Sequence, residues 1–328
     1  MAVLVIGMHR SGTSAIASML EALGLDTGAP DRLLPADEHN PQGYFEQDAV
    51  VEFNDEVFDY LGGAWDCPPV FSPGWADRAD LEVFVDRLRT LLAQLYEGTN
   101  YVLKDPRISL LLPLWRKALP AQFSTVVMVR DPMEVALSLH TRDEIPVLSG
   151  LALWCNYNRA LLHDLKGLAV HVTSYEQLID SPQIMTDAVA HSLREWGELD
   201  RAADVAAAVA RVNPDLRRSV TPGDGRQPPS DVGALAKQLS AQLGPHHPFD
   251  AGDVVAAGWW DDEILEYRRV VRRQRLDFLA ENARLLSDYE AVLVDSKLLQ
   301  RELDRWREMP MIRTMRAVKR RIRPTTGE

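Results

Sequence analysis

Residues 3–24 read VLVIGMHRSGTSAIASMLEALG, and the architecture of the chain can be worked out from this stretch. The apolar, β-branched run Val3–Ile6 predicts a buried strand, which ends at a glycine-rich turn. Ser14–Leu23 then repeats apolar side chains at helical spacing, and Gly24 is a typical residue for ending a helix. A strand, a tight turn and a helix N-terminus therefore follow in order, as in an α/β fold.

The same alternation recurs along the chain. Tyr101–Leu103, Thr125–Val129 and Val170–Thr173 are short apolar runs, and each leads into a polar motif and a helical segment. This pattern predicts a P-loop-like, mostly parallel sheet flanked by helices. Polar motifs that follow parallel strands converge beyond the carboxyl ends of those strands, so we expect the ligand site there.

The connecting segments are of two kinds. Asp48–Leu61 and Arg78–Tyr96 have helical character, whereas residues 62–75, GGAWDCPPVFSPGW, predict an irregular loop. Residues 219–231 are rich in glycine, proline and polar side chains, which predicts a flexible surface loop. We therefore predict one α/β domain over residues 1–250.

The C-terminal part has a different pattern. Apolar side chains recur at every seventh position from Ile264 to Trp306, so residues 261–308 predict one long helix with a coiled-coil-like stripe. This helix is equally suited to packing on its own domain and to joining two copies of the chain. Residues 310–328 interleave basic and apolar side chains, which predicts either a basic amphipathic tail that contacts an anionic membrane face or a solvated terminus.

Composition narrows the class of protein. With 46% hydrophobic and 26% charged residues, the chain has the balance of an ordinary soluble globular protein. Its formal charge of −12 argues against nucleic acid as a partner. Its two cysteines lack metal-site spacing and fit a reducing compartment. We find no signal peptide and no membrane-spanning run, so we expect a cytoplasmic protein, peripheral to the inner face of the cell membrane if the tail binds there.

The turn Gly7–Ser14, GMHRSGTS, has the glycine spacing of a phosphate-binding loop, G-x-x-x-x-G-K-[ST], with Thr13 in place of the lysine. Such a loop holds phosphate through backbone N–H groups and the positive end of the helix, and neither needs lysine. The lysine of nucleotide triphosphatases serves β- and γ-phosphates beside Mg²⁺. With His9 and Arg10 as loop cations, this loop favours a single 5′ phosphate group whose substituent is transferred, without an obligatory metal; a plain strand-to-helix turn is the alternative.

A second motif lies in residues 126–140, VVMVRDPMEVALSLH. It places Arg130 at the end of a predicted strand and Ser138 two helical turns along, after Pro132 has started a helix. An arginine fork and a hydroxyl at this separation can close on one phosphate group. The alternative is a structural pair between Arg130 and Asp131 or another carboxylate. A nucleotide with phosphates at both ends of its ribose would need two such sites.

Taken together, these residues resemble sulfotransferases that use 3′-phosphoadenosine 5′-phosphosulfate (PAPS). Gly7–Ser14 matches the x-R-S-G-T-[ST] loop of that family, and Arg130–Ser138 matches its R-[DN]-P-x-x-x-A-x-S segment. Residues 174–182, SYEQLIDSP, resemble its Y-E-x-L-x-x-x-P segment. The resemblance covers residue 3 to about residue 182. The chain is most similar to bacterial members of the family whose loop reads G-M-H-R-S-G-T-S.

The resemblance implies PAPS as donor, adenosine 3′,5′-bisphosphate as product and no required metal. The adenine contact is open, because Ala15 replaces the stacking tryptophan of eukaryotic members and the R-K-G-x-x-G segment is missing. The implied donor-binding residues are His9, Arg10, Ser11, Gly12, Thr13, Ser14, Arg130 and Ser138, with Arg217 and Arg218 as candidates near the adenine.

Sulfuryl transfer is an in-line displacement that depends on positioning and electrostatic stabilisation. By resemblance, residues 39–47, HNPQGYFEQ, face the acceptor, and Lys104 of the KDPR segment stabilises the transition state. We predict Glu46 as general base, with His39 as the alternative, and Lys104 and Arg10 as the stabilising cations. A first-turn glutamate favoured by the helix dipole is the structural alternative for Glu46.

The predicted function is therefore transfer of a sulfuryl group from PAPS to a hydroxyl, or less readily an amine, of a glycan, glycolipid or small molecule. The aromatic loop with Trp65, Phe71 and Trp75 is expected to shape the acceptor cleft. Two other classes stay open. A P-loop kinase or NTPase would need a lysine and an acidic Mg²⁺ ligand, for which Asp131 is the candidate. A non-catalytic adapter would act through the C-terminal helix.

Overall fold

The computed structural model describes residues 2–96, 100–200 and 202–213. The strands in these ranges are β1 (Ala2–Ile6), β2 (Tyr101–Lys104), β3 (Phe123–Val129) and β4 (Ala169–Ser174). The helices are α1 (Thr13–Ala22), α2 (Asp48–Tyr60), α3 (Glu82–Leu95), α4 (Ile108–Ala118), α5 (Pro132–Asp143), α6 (Val147–Asp164), α7 (Tyr175–Asp180), α8 (Pro182–Glu195) and α9 (Val205–Val209).

The four strands form one parallel sheet in the order β2-β1-β3-β4. Strand β1 lies inside the sheet, where Val3 is paired with Val102 of β2 and with Ser124 of β3. The chain leaves β1 in one direction to form β2 and then crosses to the other side to form β3. Ligands of open α/β sheets bind at such a reversal of strand order. The predicted α/β fold with a parallel sheet flanked by helices is thus confirmed.

Two apolar cores cover the two faces of the sheet. Leu4 and Ile6 of β1 belong to the core that α2 to α6 pack against, and Val3 and Val5 belong to the core formed with α1, α7, α8 and α9. Side chains alternate across a strand, so a strand with helices on both faces must be apolar at every position. This explains why β1 is a continuous apolar run.

The predicted element boundaries agree with the structure to within a few residues. The largest difference is at α3, where short 3₁₀ turns at Trp75–Asp77 and Ala79–Leu81 precede the helix, which begins at Glu82 instead of Arg78. The loop over residues 62–75 is irregular up to the first of these turns, as predicted.

Several predictions fall outside the described residues. These are the flexible loop at 219–231, the long helix at 261–308, the basic tail at 310–328 and the adenine contacts Arg217 and Arg218. Within the part of the chain that is described, no helix has both the length and the apolar character needed to cross a bilayer.

Candidate active site

The loop between β1 and α1 depends on two glycines. Gly7 has φ +150°, and a Cβ there would lie 2.3 Å from the carbonyl oxygen of Met128. Gly12 has φ +92°, and a Cβ there would lie 2.5 Å from the Tyr175 ring. Helix α1 then begins at Thr13 without a side-chain N-cap. Its first-turn N–H groups are therefore available to an anion rather than satisfied by a capping side chain.

A cavity of about 500 Å³ lies at the carboxyl ends of β1, β2 and β3. It is lined by most of the predicted site residues, although they come from distant parts of the sequence. These residues are His9, Arg10, Gly12, Thr13, Ser14, His39, Glu46, Lys104, Arg130 and Ser138. The phosphate-loop residues, the predicted base and the second anion motif thus share one cavity.

Arg10 connects the two predicted anion motifs. Its backbone is left-handed, with φ +66°, and its Nε donates to Ser138 Oγ at 2.9 Å. Its carbonyl oxygen accepts from Arg130 Nη1 at 3.0 Å, and its Nη2 donates to the carbonyl of His39 at 3.2 Å. Burial, followed by repulsion from Arg142, lowers the pKa of this guanidinium. Among the described residues Arg10 has no carboxylate within 4 Å, so its charge is not neutralised by an ion pair.

Arg130 is paired with a carboxylate, which is the structural alternative given above. Its partner is Glu134 and not Asp131. Arg130 Nε donates to Glu134 Oε2 at 2.9 Å, and the guanidinium lies 4.2 Å from the centre of the Tyr175 ring. Asp131 instead caps α5, accepting from the backbone N–H groups of Met133 and Glu134. Arg130 lines the cavity together with Ser138, so the pairing holds it in place at the wall.

Glu46 and Lys104 form a buried ion pair. Lys104 Nζ donates to Glu46 Oε1 at 2.5 Å and to Ser14 Oγ at 3.1 Å. Burial raises the pKa of the Glu46 carboxyl, and the attraction of Lys104 opposes that rise. The loop sequence lacks a lysine, but Lys104 at the end of β2 places its ammonium group beside the loop. A carboxylate with a raised pKa that lines the cavity has the properties of a general base.

Arg107 lies on the other side of the same carboxylate. Its Nη1 is 3.7 Å from Glu46 Oε2 and donates to Asp105 Oδ1 at 3.1 Å, and its Nε donates to Asp55 Oδ1 at 2.7 Å. Asp105 is fully buried, and its second oxygen accepts from Asn54 at 2.9 Å. These contacts brace the end of β2 from Asp105 to Arg107.

The prediction that His9 is a loop cation is wrong. The imidazole packs on Trp65 at 4.4 Å between ring centres, and its buried Nε2 has no hydrogen-bond partner in the described part of the chain. Burial lowers the pKa of His9 well below the usual value, and the surrounding cations, Arg107 first, add to this effect. His9 is therefore neutral at pH 7. It lines the cavity as an aromatic wall and brings no charge to a phosphate.

Three further predictions need correction. Ser11 does not line the cavity: its backbone N–H donates to the Met8 carbonyl, and its hydroxyl is buried with no hydrogen-bond partner among the described residues. Phe71 and Trp75 contact each other with tilted rings, 4.8 Å apart between centres, and pack in the core that includes α2 to α6. Of the aromatic loop, only Trp65 lines the cavity.

Sequence reasoning missed Arg142 as a cavity residue. It lines the cavity, lies 5.6 Å from the centre of the Trp65 ring and donates through Nε to Asp143. It follows Ser138 by four residues on α5, and residues at this spacing share a helix face. That spacing is the signal that would have revealed it.

The cavity as a whole is suited to an anionic ligand. Among the described residues, five cations line it, against the three acidic residues Asp37, Glu46 and Asp143. In the described ranges no group of three or more His, Cys, Asp or Glu side chains is placed to hold a metal ion. The arrangement combines anion-binding groups at the start of α1 and α5 with one carboxylate that can accept a proton.

No known protein-family profile matches the chain, and a search of curated proteins finds no match. Solved structures that are similar to it in fold include three sulfotransferases. The sulfotransferase domain from the curacin biosynthetic pathway is 20% identical, with a TM-score of 0.44, over 75% of this chain and 98% of that one. The sulfotransferase domain from the Synechococcus PCC 7002 olefin synthase is 17% identical, with a TM-score of 0.43, over 74% and 94%. The sulfotransferase STF9 from Mycobacterium avium is 15% identical, with a TM-score of 0.38, over 64% and 66%.

Proposed function

We propose that the protein is a sulfotransferase that moves a sulfuryl group from PAPS to a hydroxyl group of an acceptor. The observation that carries this proposal is the junction at Arg10. Its side chain donates to Ser138 Oγ at 2.9 Å, and its carbonyl accepts from Arg130 at 3.0 Å. Two motifs suited to phosphate groups thus meet in one cavity, which fits a nucleotide that carries phosphates at both ends of its ribose.

The residues present fit such a donor. The uncapped first turn of α1 and the Arg10 guanidinium would hold the 5′-phosphosulfate, because neither is already satisfied by a carboxylate. Arg130 and Ser138 would hold the 3′-phosphate. A volume of about 500 Å³ lies within the usual range for small-molecule sites.

The chain's own groups divide the chemistry. A bound donor would supply the sulfuryl group: the acceptor oxygen bonds to sulfur, the bond from sulfur to the bridging phosphate oxygen breaks, and adenosine 3′,5′-bisphosphate leaves. Glu46 accepts the proton of the acceptor hydroxyl. Lys104 stabilises the charge that develops on the leaving oxygen, and Arg10 stabilises the sulfuryl oxygens. Each of these three side chains lines the cavity.

For the acceptor we propose a chemical class and no individual compound. Trp65 lines the cavity, and aromatic walls suit sugar rings as well as apolar small molecules. The basic pattern of residues 310–328 resembles the endings of bacterial surface-polysaccharide enzymes, and this resemblance favours a glycan or glycolipid acceptor at the cytoplasmic membrane face. Membrane contact through this tail and dimerisation through residues 261–308 stay predictions.

A phosphoryl-transfer enzyme is the second candidate, and one contact favours it. Lys104 Nζ lies 3.1 Å from Ser14 Oγ, so the loop has a lysine beside it in space. Against this candidate, Asp131, the acidic residue considered for Mg²⁺, already accepts from two backbone N–H groups as the cap of α5. An adapter function makes no use of the cavity.

Thermal shift with three ligands tests the proposal. Adenosine 3′,5′-bisphosphate without Mg²⁺ should stabilise the protein, and adenosine 5′-monophosphate, which lacks the 3′-phosphate, should do so much less. Stabilisation only by ATP with Mg²⁺ would support the phosphoryl-transfer enzyme, and no response to any nucleotide would support the adapter. Radiolabelled PAPS and a panel of glycans and glycolipids would then identify the acceptor.

A further inference from the structure

The Glu46 carboxylate lies between two cations that come from the same short connection between β2 and α4. Lys104 Nζ binds Oε1 at 2.5 Å, and Arg107 Nη1 is 3.7 Å from Oε2. The charged groups that face Glu46 within the described residues are Lys104, Asp105 and Arg107. Glu46 and Lys104 are 5% and 4% exposed, so solvent screens this pair very little.

The two cations are tethered very differently. Arg107 also binds Asp105 at 3.1 Å and Asp55 at 2.7 Å, so three carboxylates fix its guanidinium. Asp105 is fixed in turn by Asn54, which accepts from the indole N–H of Trp115 at 2.9 Å. This chain of contacts runs from the core to the cavity wall.

Lys104 has a weaker set of partners. Besides Glu46, its ammonium group is bound by Ser14 Oγ, a neutral hydroxyl. A flexible side chain held by one carboxylate and one hydroxyl can change partners at a lower cost than a planar guanidinium held by three carboxylates. The geometry therefore distinguishes a fixed cation from a movable one at the same carboxylate.

We propose that Arg107 is a positioning residue that holds Glu46 in its proton-accepting orientation, while Lys104 leaves Glu46 to meet the charge on the departing oxygen. The inference rests on the proposed function, in which Glu46 takes the acceptor's proton. Without Arg107, movement of Lys104 would leave the buried Glu46 carboxylate with no cation to orient it. Because Arg107 stays beside Glu46, Lys104 can neutralise the Glu46 carboxylate first and the departing oxygen afterwards.

The direct test is the titration of Glu46, followed by NMR of protein labelled with ¹³C at the glutamate carboxyl groups. The Glu46→Gln variant identifies the signal. In Arg107→Gln the midpoint should rise by about one pH unit or more, because a neighbouring cation that favours the carboxylate is lost. Arg87→Gln removes an arginine from an exposed ion pair with Glu56 and should leave the midpoint unchanged.

A neutral exchange keeps the test valid if Arg107→Gln does not fold. The double variant Asp105→Asn/Arg107→Gln replaces a buried ion pair by two neutral amides, and comparison with Asp105→Asn alone isolates the arginine. An arginine that only braces the fold would lower the melting temperature without moving the titration of Glu46. Superimposable curves in the folded variants would overturn the proposal.

Donor kinetics separate this inference from the proposed function. In Arg107→Gln, kcat for PAPS turnover should fall at least tenfold, while the Kd of adenosine 3′,5′-bisphosphate stays near the wild-type value, because Arg107 faces the base. If wild-type protein does not bind the bisphosphate, the proposed function fails. If it binds and the variant keeps its kcat and its Glu46 titration, only the positioning role fails.

Discussion

The two ends of the cavity differ in how their cations are neutralised. At the loop end, the side chain of Arg10 has neutral partners among the described residues, namely the hydroxyl of Ser138 and the carbonyl of His39. At the other end, Lys104 and Arg107 enclose the carboxylate of Glu46. A partly buried cation without a carboxylate partner gains most from an anionic ligand, whereas an ion pair is already satisfied. Under the proposed function, the loop end would bind the donor and the Glu46 end would accept the proton of the acceptor.

Arg130 is intermediate between these two cases. It lines the cavity near Arg10, yet its Nε is bound by Glu134 at 2.9 Å. The pair as a unit carries little net charge, so its contribution to holding a phosphate should be smaller than that of Arg10. We therefore expect Arg10 to contribute more than Arg130 to the binding of an anionic ligand.

The largest effect is expected at the base. Glu46→Gln keeps the shape of the side chain but removes proton acceptance, so turnover of PAPS with the identified acceptor should fall about 10²- to 10⁴-fold. The affinity for adenosine 3′,5′-bisphosphate should not fall, because no anion-binding group is lost. Steady-state kinetics and calorimetric titration measure the two quantities separately.

His39→Gln is the matched control for that experiment. His39 lines the same cavity, and its backbone carbonyl, which binds Arg10, is retained in the variant. Full activity in Glu46→Gln together with inactivity in His39→Gln would break the comparison and transfer the role of base to His39. Weak bisphosphate binding in Glu46→Gln would instead place Glu46 at the donor end.

The second effect concerns donor affinity. Arg10→Ala removes charge-assisted contacts worth about 1.5–3 kcal/mol, so the Kd of adenosine 3′,5′-bisphosphate should rise roughly 10- to 150-fold. Arg130→Gln/Glu134→Gln should weaken binding less, because it removes a cation and its compensating carboxylate together. Arg130→Ala alone should weaken binding too, since it leaves Glu134 without its arginine. Equal losses in Arg10→Ala and the double variant would show that the ion pair does not neutralise Arg130.

The placement of these residues could be predicted from the sequence for a simple reason. Parallel strands bring their carboxyl ends to one edge, so motifs that follow β1, β2 and β3 must meet there. The shared cavity of Arg10, Lys104 and Arg130 follows from that rule. Glu46 precedes α2 and follows no strand, so its place in the cavity was predicted from family resemblance.

What the sequence did not predict depends on contacts between distant segments. Arg130 is paired with Glu134, four residues along, which is a spacing that helices bring together. From the sequence, Asp131 is an equally good partner, and only the structure shows that Asp131 caps α5 instead. The neutrality of His9 depends on Trp65 and on burial, which no local pattern around the loop indicates. The junction of Arg10 with Ser138 depends on the left-handed backbone at Arg10.

The third effect is a pH dependence of stability caused by His9. Its pKa is depressed in the folded protein, so between that pKa and about 6.5 the unfolded chain binds more protons and stability falls as pH falls. The loss can reach about 1.4 kcal/mol per pH unit. His9→Gln should therefore lose less stability than wild type on acidification from about pH 7 to 5, measured by denaturant unfolding.

A matched variant decides whether that effect belongs to His9. His191 is largely exposed on α8 beside Glu195, so His191→Gln controls for the loss of a surface histidine, and its profile of stability against pH should stay closer to wild type than that of His9→Gln. Parallel profiles for wild type and His9→Gln would mean that His9 becomes protonated in the folded state. It would then be a cation of the loop end after all, and the contrast with the paired end would extend to a second loop residue.

The smallest effect is expected at Ser138, which supplies a neutral hydroxyl to the loop end. Ser138→Ala removes the acceptor for Arg10 Nε, a contact of about 0.5–1.5 kcal/mol, so the Kd of adenosine 3′,5′-bisphosphate should rise roughly 2- to 12-fold. Thr141→Ala removes a hydroxyl that bonds to the Leu137 carbonyl on the exposed side of the same helix, and it should leave the Kd unchanged. A loss in Ser138→Ala as large as that in Arg10→Ala would mean that the hydroxyl fixes the orientation of the guanidinium. The Arg10 guanidinium would then bind the donor only when the hydrogen bond to Ser138 orients it. Binding at the loop end would therefore depend on positioning, as we propose for Glu46 at the other end of the cavity.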